Sequence, residues 1–443
     1  AGEPGHAQTP LTMSLTIPEF LRPALAKPVA ILGGGISGEG VRSLLAALGA
    51  EGKIYDAKGA KGVDFTAAAA RQHALVVFSP GFAPDHVWLT RAHALGAICL
   101  GELDFASLFW GGQLVALTGT NGKTTLTEFL VHALGAAGRT AHAVGNIGYP
   151  LSQLVAEKKG GAKDMIAVCE VSSFQAETLQ YLSADATLWT NFAEDHLERH
   201  LALESYFSAK WKLVERTAPR PVLVGASVVR YAGKFGRSLG GSIAVATEAQ
   251  PADPRLAKTV FAEYPQRENF LLAAAWWHAS GLDEETLFAA ARTFKLGRHR
   301  MTRVAEFEGV TFWNDSKATN FHAVEAAAAG FAAPVILIAG GRSKGGDLAG
   351  FVHRIAPRVK HLLLIGETSA ELAFHASTFR LAHTSCATLD EAVRRATELA
   401  SPGEHVLLSP GFASFDMFRS YEDRGEQFEK LVQSLVVPVP VSR

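Results

Sequence analysis

Short apolar runs alternate with helical periodicity along most of the chain. From Val29 the order is a strand at Val29–Leu32, a helix at Gly38–Leu48, a strand at Lys53–Tyr55, a helix at Thr66–Gln72 and a strand at Leu75–Phe78. Strands that alternate with helices predict βαβ units and so a parallel sheet. A second series opens with a strand at Gln113–Leu117, continues at Met165–Cys169, Ala186–Trp189 and Pro221–Val224, and closes with helices at Glu268–Ala279 and Asp283–Thr293. A third follows Gly297, with strands near Val310–Trp313, Val335–Ala339, His361–Ile365 and His405–Leu408. The pattern predicts an α/β protein of three domains, at 13–112, 113–298 and 299–443, with Rossmann-like first and last domains and a parallel-rich sheet in the central one. Residues 1–12 carry neither a charged n-region nor an apolar h-region, so Met13 reads as the native start and 1–12 as a tag remnant.

Composition narrows the class. Hydrophobic residues make up 48% and charged residues 19%, the balance of a compact globular chain. A net charge of −1 leaves no summed basic field to draw the protein to nucleic acid or an anionic membrane, so any phosphate site must be local. The longest apolar runs, such as Leu271–Trp277, are far short of the roughly 18 residues of a spanning helix. Cys99, Cys169 and Cys386 are scattered and form no Cys-x-x-Cys pair, which argues against a disulfide framework or a zinc ribbon and fits a reducing compartment.

The strongest chemical signal is Gly119-Thr120-Asn121-Gly122-Lys123-Thr124-Thr125, directly after an apolar strand and directly before the helical run Leu126–Leu134. This is where a P-loop belongs. Its glycines let backbone N–H groups converge on phosphate oxygens, the helix N-terminus adds partial positive charge, Lys123 reaches the β/γ-phosphates and the Thr124 hydroxyl can join a magnesium shell. The competing reading is a Gly-Thr turn that only caps a helix. The first βα turn is Gly33-x-Gly35-x-x-Gly38, and the next strand ends at Asp56, a dinucleotide-type fingerprint. Alone it favours a nicotinamide dehydrogenase. With a P-loop downstream it favours a ligase that needs one site for each of two nucleotides.

Glu170 ends a strand beside the P-loop strand, where magnesium is caught, although Ser172 and Ser173 could instead make this segment a helix cap. His196 and His200 have the spacing of a helical metal pair but no His-Glu-x-x-His, and Asp195 is expected to orient His196. Lys210 reads by pattern alone as a solvated lysine on a helix face.

The loop from Gly119 to Thr125, Gly145-Asn146-Ile-Gly148, Glu170 to Gln175, Glu194-Asp195-His196, Asn314-Asp315-Ser316-Lys317-Ala318-Thr319-Asn320 and the run from Ser409 to Gly425 together resemble the Mur ligases, in the branch that adds glutamate to UDP-N-acetylmuramoyl-alanine. The resemblance spans all three expected domains. It implies a cytoplasmic, monomeric ATP-dependent ligase of peptidoglycan synthesis that uses two magnesium ions. It implies that Ile36, Ser37, Asp56, Lys58 and Gly81 surround the uridine diphosphate and that Asn146, Ser172, Gln175 and His196 hold the muramoyl-alanine arm. Lys123 and Thr124 would grip the triphosphate, Thr124 and Glu170 one magnesium, and His196 with a carbamylated Lys210 the other. Asn269, Arg300 and Asp315 would bind ATP, and Lys317, Thr319, Lys344, Ser414, Phe415 and Tyr421 would frame the glutamate pocket, D-glutamate being favoured. Lys123, Asn146, His196 and Lys210 are then the catalytic set. Two departures stand out: Pro265-Gln266 replaces the family's His-Asn at the adenine, and Phe415 and Tyr421 replace the usual Leu and Phe. An L-glutamate-adding variant, a folylpolyglutamate-type ligase, and a nucleotide-binding non-ligase or dehydrogenase are the alternative readings.

Overall fold

The computed structural model describes residues 15–57, 62–241, 243–245 and 253–436; Lys58 and residues 1–12 lie outside them. Three sheets follow one another along the chain. The first is wholly parallel, order β2-β1-β3-β4, from β1 (Val29–Leu32), β2 (Gly52–Tyr55), β3 (Leu75–Phe78) and β4 (Ile98–Gly101). The second, also parallel, has the order β10-β9-β8-β5-β7-β6, from β5 (Gln113–Thr118), β6 (Ala141–Gly145), β7 (Ile166–Glu170), β8 (Ala186–Trp189), β9 (Val222–Gly225) and β10 (Ile243–Val245). The third has the order β11-β12-β16-β13-β14-β15, from β11 (Thr302–Phe307), β12 (Val310–Asn314), β13 (Val335–Gly340), β14 (Val359–Ile365), β15 (His383–Ser385) and β16 (His405–Leu408), parallel except for the β11–β12 hairpin.

The strands that hydrophobic patterning identifies include all the interior ones. β1, β3, β8 and β9 are buried at every position because helices cover both faces. The strands it misses, β4, β6, β10, β11 and β15, all lie at sheet edges. An edge strand is paired on one side only and tolerates polar sequence such as His383-Thr-Ser385.

Six helices position the chemistry: α1 (Ile36–Ala47), α2 (Lys123–Ala136), α3 (Leu203–Glu215), α4 (Gln266–Ala279), α5 (Phe321–Ala329) and α6 (Tyr421–Val436). α1 and α2 begin at the carboxyl ends of β1 and β5, as a parallel sheet requires.

The first two sheets share one apolar core. A continuous buried cluster runs from Leu21, Val41 and Phe105 to Leu114, Leu154 and Leu213. Two buried carboxylates seal it: Glu102 accepts from the Ser152 amide and hydroxyl, and Asp104 accepts from the amides of Gln180, Tyr181 and Leu182. The boundary expected near 112 lies between two sheets that this cluster joins, each of which has a further apolar cluster of its own. The third sheet has its own clusters, drawn only from residues beyond 300. It meets the second sheet through polar contacts around Asn320. A net hydrogen bond contributes about 1 kcal/mol, whereas burying one large apolar side chain contributes about 1.5–3 kcal/mol, so these polar contacts are weaker, one for one, than the apolar packing that joins the first two sheets.

Candidate active site

The loop after β5 carries Gly119 to Thr125 and is braced by the segment after β8. The Thr120 amide donates to the Asn191 carbonyl (3.0 Å), the Asn121 amide to Asn191 Oδ1 (2.9 Å) and the Thr190 hydroxyl to the Asn121 carbonyl (2.6 Å). Gly122 has φ 82° and lies against the Asn269 side-chain amide of α4, so a Cβ there would be strained and crowded at once. Lys123 folds over its own loop, donating to the carbonyls of Gly119 (2.9 Å) and Thr120 (3.0 Å). Burial pushes its pKa below the usual lysine range, with Glu170 and Asp195 opposing the shift.

Glu170, the last residue of β7, is buried. Its Oε1 accepts from Asn146 Nδ2 (2.9 Å), and its buried Oε2 has no hydrogen-bond partner; the Thr125 hydroxyl, at the start of α2, is also buried without one. A free buried carboxylate oxygen at a strand's carboxyl end, beside a phosphate loop, fits a cation. No cage of three or more His, Cys, Asp or Glu stands among the described residues, so an ion here would depend on phosphate oxygens, as magnesium commonly does. The helix-cap reading of this segment holds on the next turn, where Ser172 and Gln175 form a capping box, with Gln175 Oε1 accepting from the Ser172 amide and hydroxyl (both 3.0 Å).

Lys210 is no surface lysine. On α3 it is fully buried, donates to the Gly119 carbonyl (2.9 Å) and Thr118 Oγ1 (3.3 Å), and lies 4.9 Å over the Tyr206 ring. Burial, and secondarily Lys123, holds its pKa well below the lysine norm. His196 approaches the same Tyr206 ring, at 6.1 Å between centroids. Asp195 holds the His196 backbone amide (2.9 Å) more closely than its ring (3.7 Å). The His200 ring also lies against Tyr206 (5.3 Å), but its nitrogens face Ser173 Oγ (3.0 Å) and Glu177 (3.8 Å), so the two histidines do not aim their nitrogens at one point.

The third sheet supplies basic groups. Lys344 contacts Asp195 and Thr319, both at 3.4 Å, in a small pocket shared with His196 and Phe412. Burial works against ionised Asp195, but Lys344, His196 and the Asn320 amide outweigh it and hold the carboxyl below its usual range. Lys317 lies in a different cavity, of about 480 Å³, with Thr124, Asn146, Arg300 and Tyr421. Its ammonium donates to the Tyr421 hydroxyl (2.6 Å) and lies 3.9 Å from that ring's centroid. Burial and then Arg300 lower its pKa to about 8. The residues grouped by resemblance around the glutamate thus fall in two places, Thr319 with Lys344 and Lys317 with Tyr421. Ser414 is buried in a turn where its carbonyl accepts from the Met417 and Phe418 amides, and Phe415 beside it is 63% exposed.

A cavity of about 250 Å³ lies between α4 and the third sheet, lined by Gly122, Tyr264, Gln266, Asn269, Arg300 and Asp315 among others. Asn269 donates to Gln266 (2.8 Å), so the substituted residue pairs with the retained amide. Asp315 accepts from Ser409 Oγ (2.9 Å) and the Met301 amide (3.2 Å), and burial raises its pKa to about 7.

At the first sheet, the loop from Gly33 to Ser37 faces the turn from Ser79 to Phe82. Asp56 accepts from the Gly34 amide (2.8 Å), and a Cβ on Gly38 would overlap the Gly33 carbonyl. α1 has no side-chain cap, which leaves its first amides free for an anion, and Ile36 beside them is 65% exposed. Gly81 has open space around it.

Asn320 is a residue the sequence places in a motif without assigning it work. Its amide exchanges two hydrogen bonds with Asn121 of the phosphate loop (2.9 and 3.1 Å), donates to Asp195 (3.1 Å) and caps α5 through Ala323 (3.0 Å). Only the fold shows that a loop and a helix start 199 residues apart meet here.

A phosphate loop, a buried carboxylate with a free oxygen, a buried lysine and a cationic third sheet closing over them describe a nucleotide-dependent enzyme of several lobes. Residues 117–236 match the Mur ligase middle domain, and 299–412 match the Mur ligase glutamate ligase domain. A UDP-N-acetylmuramoylalanine–D-glutamate ligase from Caldanaerobacter subterraneus subsp. tengcongensis is 35% identical over 381 residues, 82% of this chain and 84% of that protein. One of the same name from Gloeobacter violaceus is 33% identical, covering 92% and 99%. The chain belongs to the Mur ligase family. Solved structures share the fold: a pseudomurein peptide ligase type C from Methanothermus fervidus (TM-score 0.59, 14% identity, 92% of this chain and 100% of that one) and a UDP-N-acetylmuramate-alanine ligase from Thermotoga maritima (TM-score 0.56, 16% identity, 92% and 99%). No helix among the described residues is long and apolar enough to cross a membrane.

Proposed function

We propose that this enzyme joins D-glutamate to the alanine carboxylate of UDP-N-acetylmuramoyl-alanine, using ATP and an acyl phosphate. The observation that carries this reading is the convergence of Lys123, Glu170, Asp195 and Lys210 at the carboxyl ends of β5, β7 and β8, under a third sheet bearing Lys317 and Lys344. The reaction brings a carboxylate against a triphosphate, and two anions in a dry site repel by several kcal/mol unless fixed cations stand there first.

The chain's own groups divide the work. The loop amides and Lys123 hold the triphosphate, and the Gly33–Ser37 loop with the Ser79–Phe82 turn holds the uridine diphosphate. The alanine carboxylate, positioned near Asn146 and His196, attacks the γ-phosphorus. The bond to the β,γ-bridging oxygen breaks and ADP leaves. Glutamate's amine then attacks the acyl carbon and loses a proton, and phosphate departs with one former carboxylate oxygen. Lys344 and Thr319 anchor a glutamate carboxylate, Asp195 keeping Lys344 aimed. Docking of the third sheet excludes water, which would hydrolyse the intermediate. Glu170 and Thr124 would hold one magnesium ion, and His196 with carbamylated Lys210 a second. When bound, these ions neutralise triphosphate charge.

The test is phosphate release from ATP. Release is expected only when UDP-N-acetylmuramoyl-alanine and glutamate are both present, with a matching amount of amide product. Release that needs neither, or hydride transfer to a nicotinamide, would overturn the reading.

A further inference from the structure

The Arg199 side chain is the physical link between the turn assigned to uridine diphosphate and the edge of the reacting centre. Arg199 sits on the four-residue helix Leu197–His200. That helix is bracketed by two non-glycine residues in the left-handed region, His196 (φ 55°) and Leu201 (φ 60°). Leu201 is 86% exposed, so the turn does not exist to bury it. What the turn achieves is the placement of Arg199. The guanidinium Nη2 donates to the Phe82 carbonyl (3.1 Å), 117 residues away in the first sheet's Ser79–Phe82 turn. The same group forms an ion pair with Glu177, and its carbon lies 4.9 Å from the Phe174 ring centroid. Phe174 in turn packs against His196 (4.9 Å) and His200 (5.7 Å), while Glu177 reaches Nδ1 of His200. At the far end, Phe82 is anchored on Trp88 (5.8 Å, stacked) and His86 (4.8 Å).

From these contacts we infer that Arg199 is a positioning residue for the proposed ligation, fixing how far the diphosphate-holding turn stands from the Phe174–His196 edge where the substrate's carboxylate reacts. The inference rests on the function proposed above. A substrate anchored at one end by its uridine diphosphate and reacting at the other is delivered only as accurately as the two ends are held apart. An error of about 1 Å can cost on the order of a hundredfold in rate. Lysine does not reproduce the arrangement: Nη2 alone makes both polar contacts, but an ammonium has no planar face to lie over Phe174 while it does so.

The experiment measures kcat and KM for both nucleotides, together with UDP affinity by calorimetry and thermal stability, in wild type, Arg199→Lys and Arg199→Ala. The expected result is a kcat at least tenfold lower in both variants, with KM for ATP and affinity for UDP alone within threefold of wild type. Guanidinium ion at millimolar concentration should restore part of the Arg199→Ala rate. A kcat within twofold of wild type overturns the inference. So does a loss carried wholly by weaker UDP binding, since Arg199 would then merely hold its turn. If Arg199→Ala does not fold, the kcat of Arg199→Lys decides between these outcomes. A wild-type enzyme with no amide product refutes the proposed function itself, whereas an active wild type with indifferent variants refutes only the role of Arg199.

Discussion

Lys210→Met separates what Lys210 does for the fold from what it does for the reaction. Methionine retains the length of the stem inside α3's buried face, so little volume is lost. The variant gives up two hydrogen bonds, to Gly119 and Thr118, each worth about 1 kcal/mol net. Neither partner is orphaned: the Gly119 carbonyl still accepts from Lys123, and the Thr118 hydroxyl still donates to Val171. Against that loss stands a gain. The folded state disfavours the Lys210 ammonium, and a lysine whose folded pKa lies below its unfolded value subtracts stability at neutral pH, a penalty relieved only as pH rises toward the ordinary lysine range. Chemical denaturation should therefore find Lys210→Met within about 2 kcal/mol of wild type. Activity should collapse by about a thousandfold or more, because the oxygens of the proposed carbamate are lost with the amine. In Lys210→Ala, short carboxylates should restore part of the rate by filling the vacated anionic position, and bicarbonate should stimulate wild type but neither variant. A Lys210→Met enzyme that keeps more than a tenth of wild-type kcat would refute the reasoning.

Three further outcomes follow from named contacts. Asn320→Ala loses two amide bonds to Asn121 and one to the Asp195 carboxylate, together about 3.5 kcal/mol of contact between the second and third sheets. Solution scattering should show a larger radius of gyration and kcat should fall about a hundredfold, while thermal stability drops only by the roughly 1 kcal/mol of a lost helix cap. His200 is held at a pKa of about 4, mainly by burial, so the unfolded chain binds a proton there between about pH 4 and 6.5 and the folded one does not. Unfolding free energy should rise with pH across that window, and His200→Asn should flatten the slope. Tyr421→Phe frees the Lys317 ammonium from its hydroxyl partner; D-glutamate should be preferred by wild type, and kcat/KM for the two enantiomers in both proteins measures whether Tyr421 contributes to that preference.

Much of the fold is legible in the chain because interior parallel strands must be apolar on both faces. Where that requirement lapses, at the edge strands β11 and β15, the pattern fades with it, whereas the edge strands β4 and β10 are apolar but only four and three residues long. The phosphate loop is legible because its glycines and lysine are adjacent in sequence. Lys210 is not legible by pattern, since its neighbours on α3 give no sign that Thr118 and Gly119 close over it, and only the resemblance singles it out. Asn320 and Arg199 lie beyond sequence reasoning for the same cause: their partners, Asn121 and Phe82, are 199 and 117 residues away. The family resemblance points to Lys344 and Tyr421, but motifs alone do not reveal that Lys317 and Lys344 lie in separate cavities.

The most direct test of the acyl phosphate follows the oxygens. UDP-N-acetylmuramoyl-alanine labelled with oxygen-18 at both carboxylate positions is turned over with ATP and D-glutamate, and phosphate and product are weighed by mass spectrometry. The mechanism predicts one oxygen-18 in each phosphate released and one retained in the new amide carbonyl. Phosphate free of the label, with amide still formed, would contradict it.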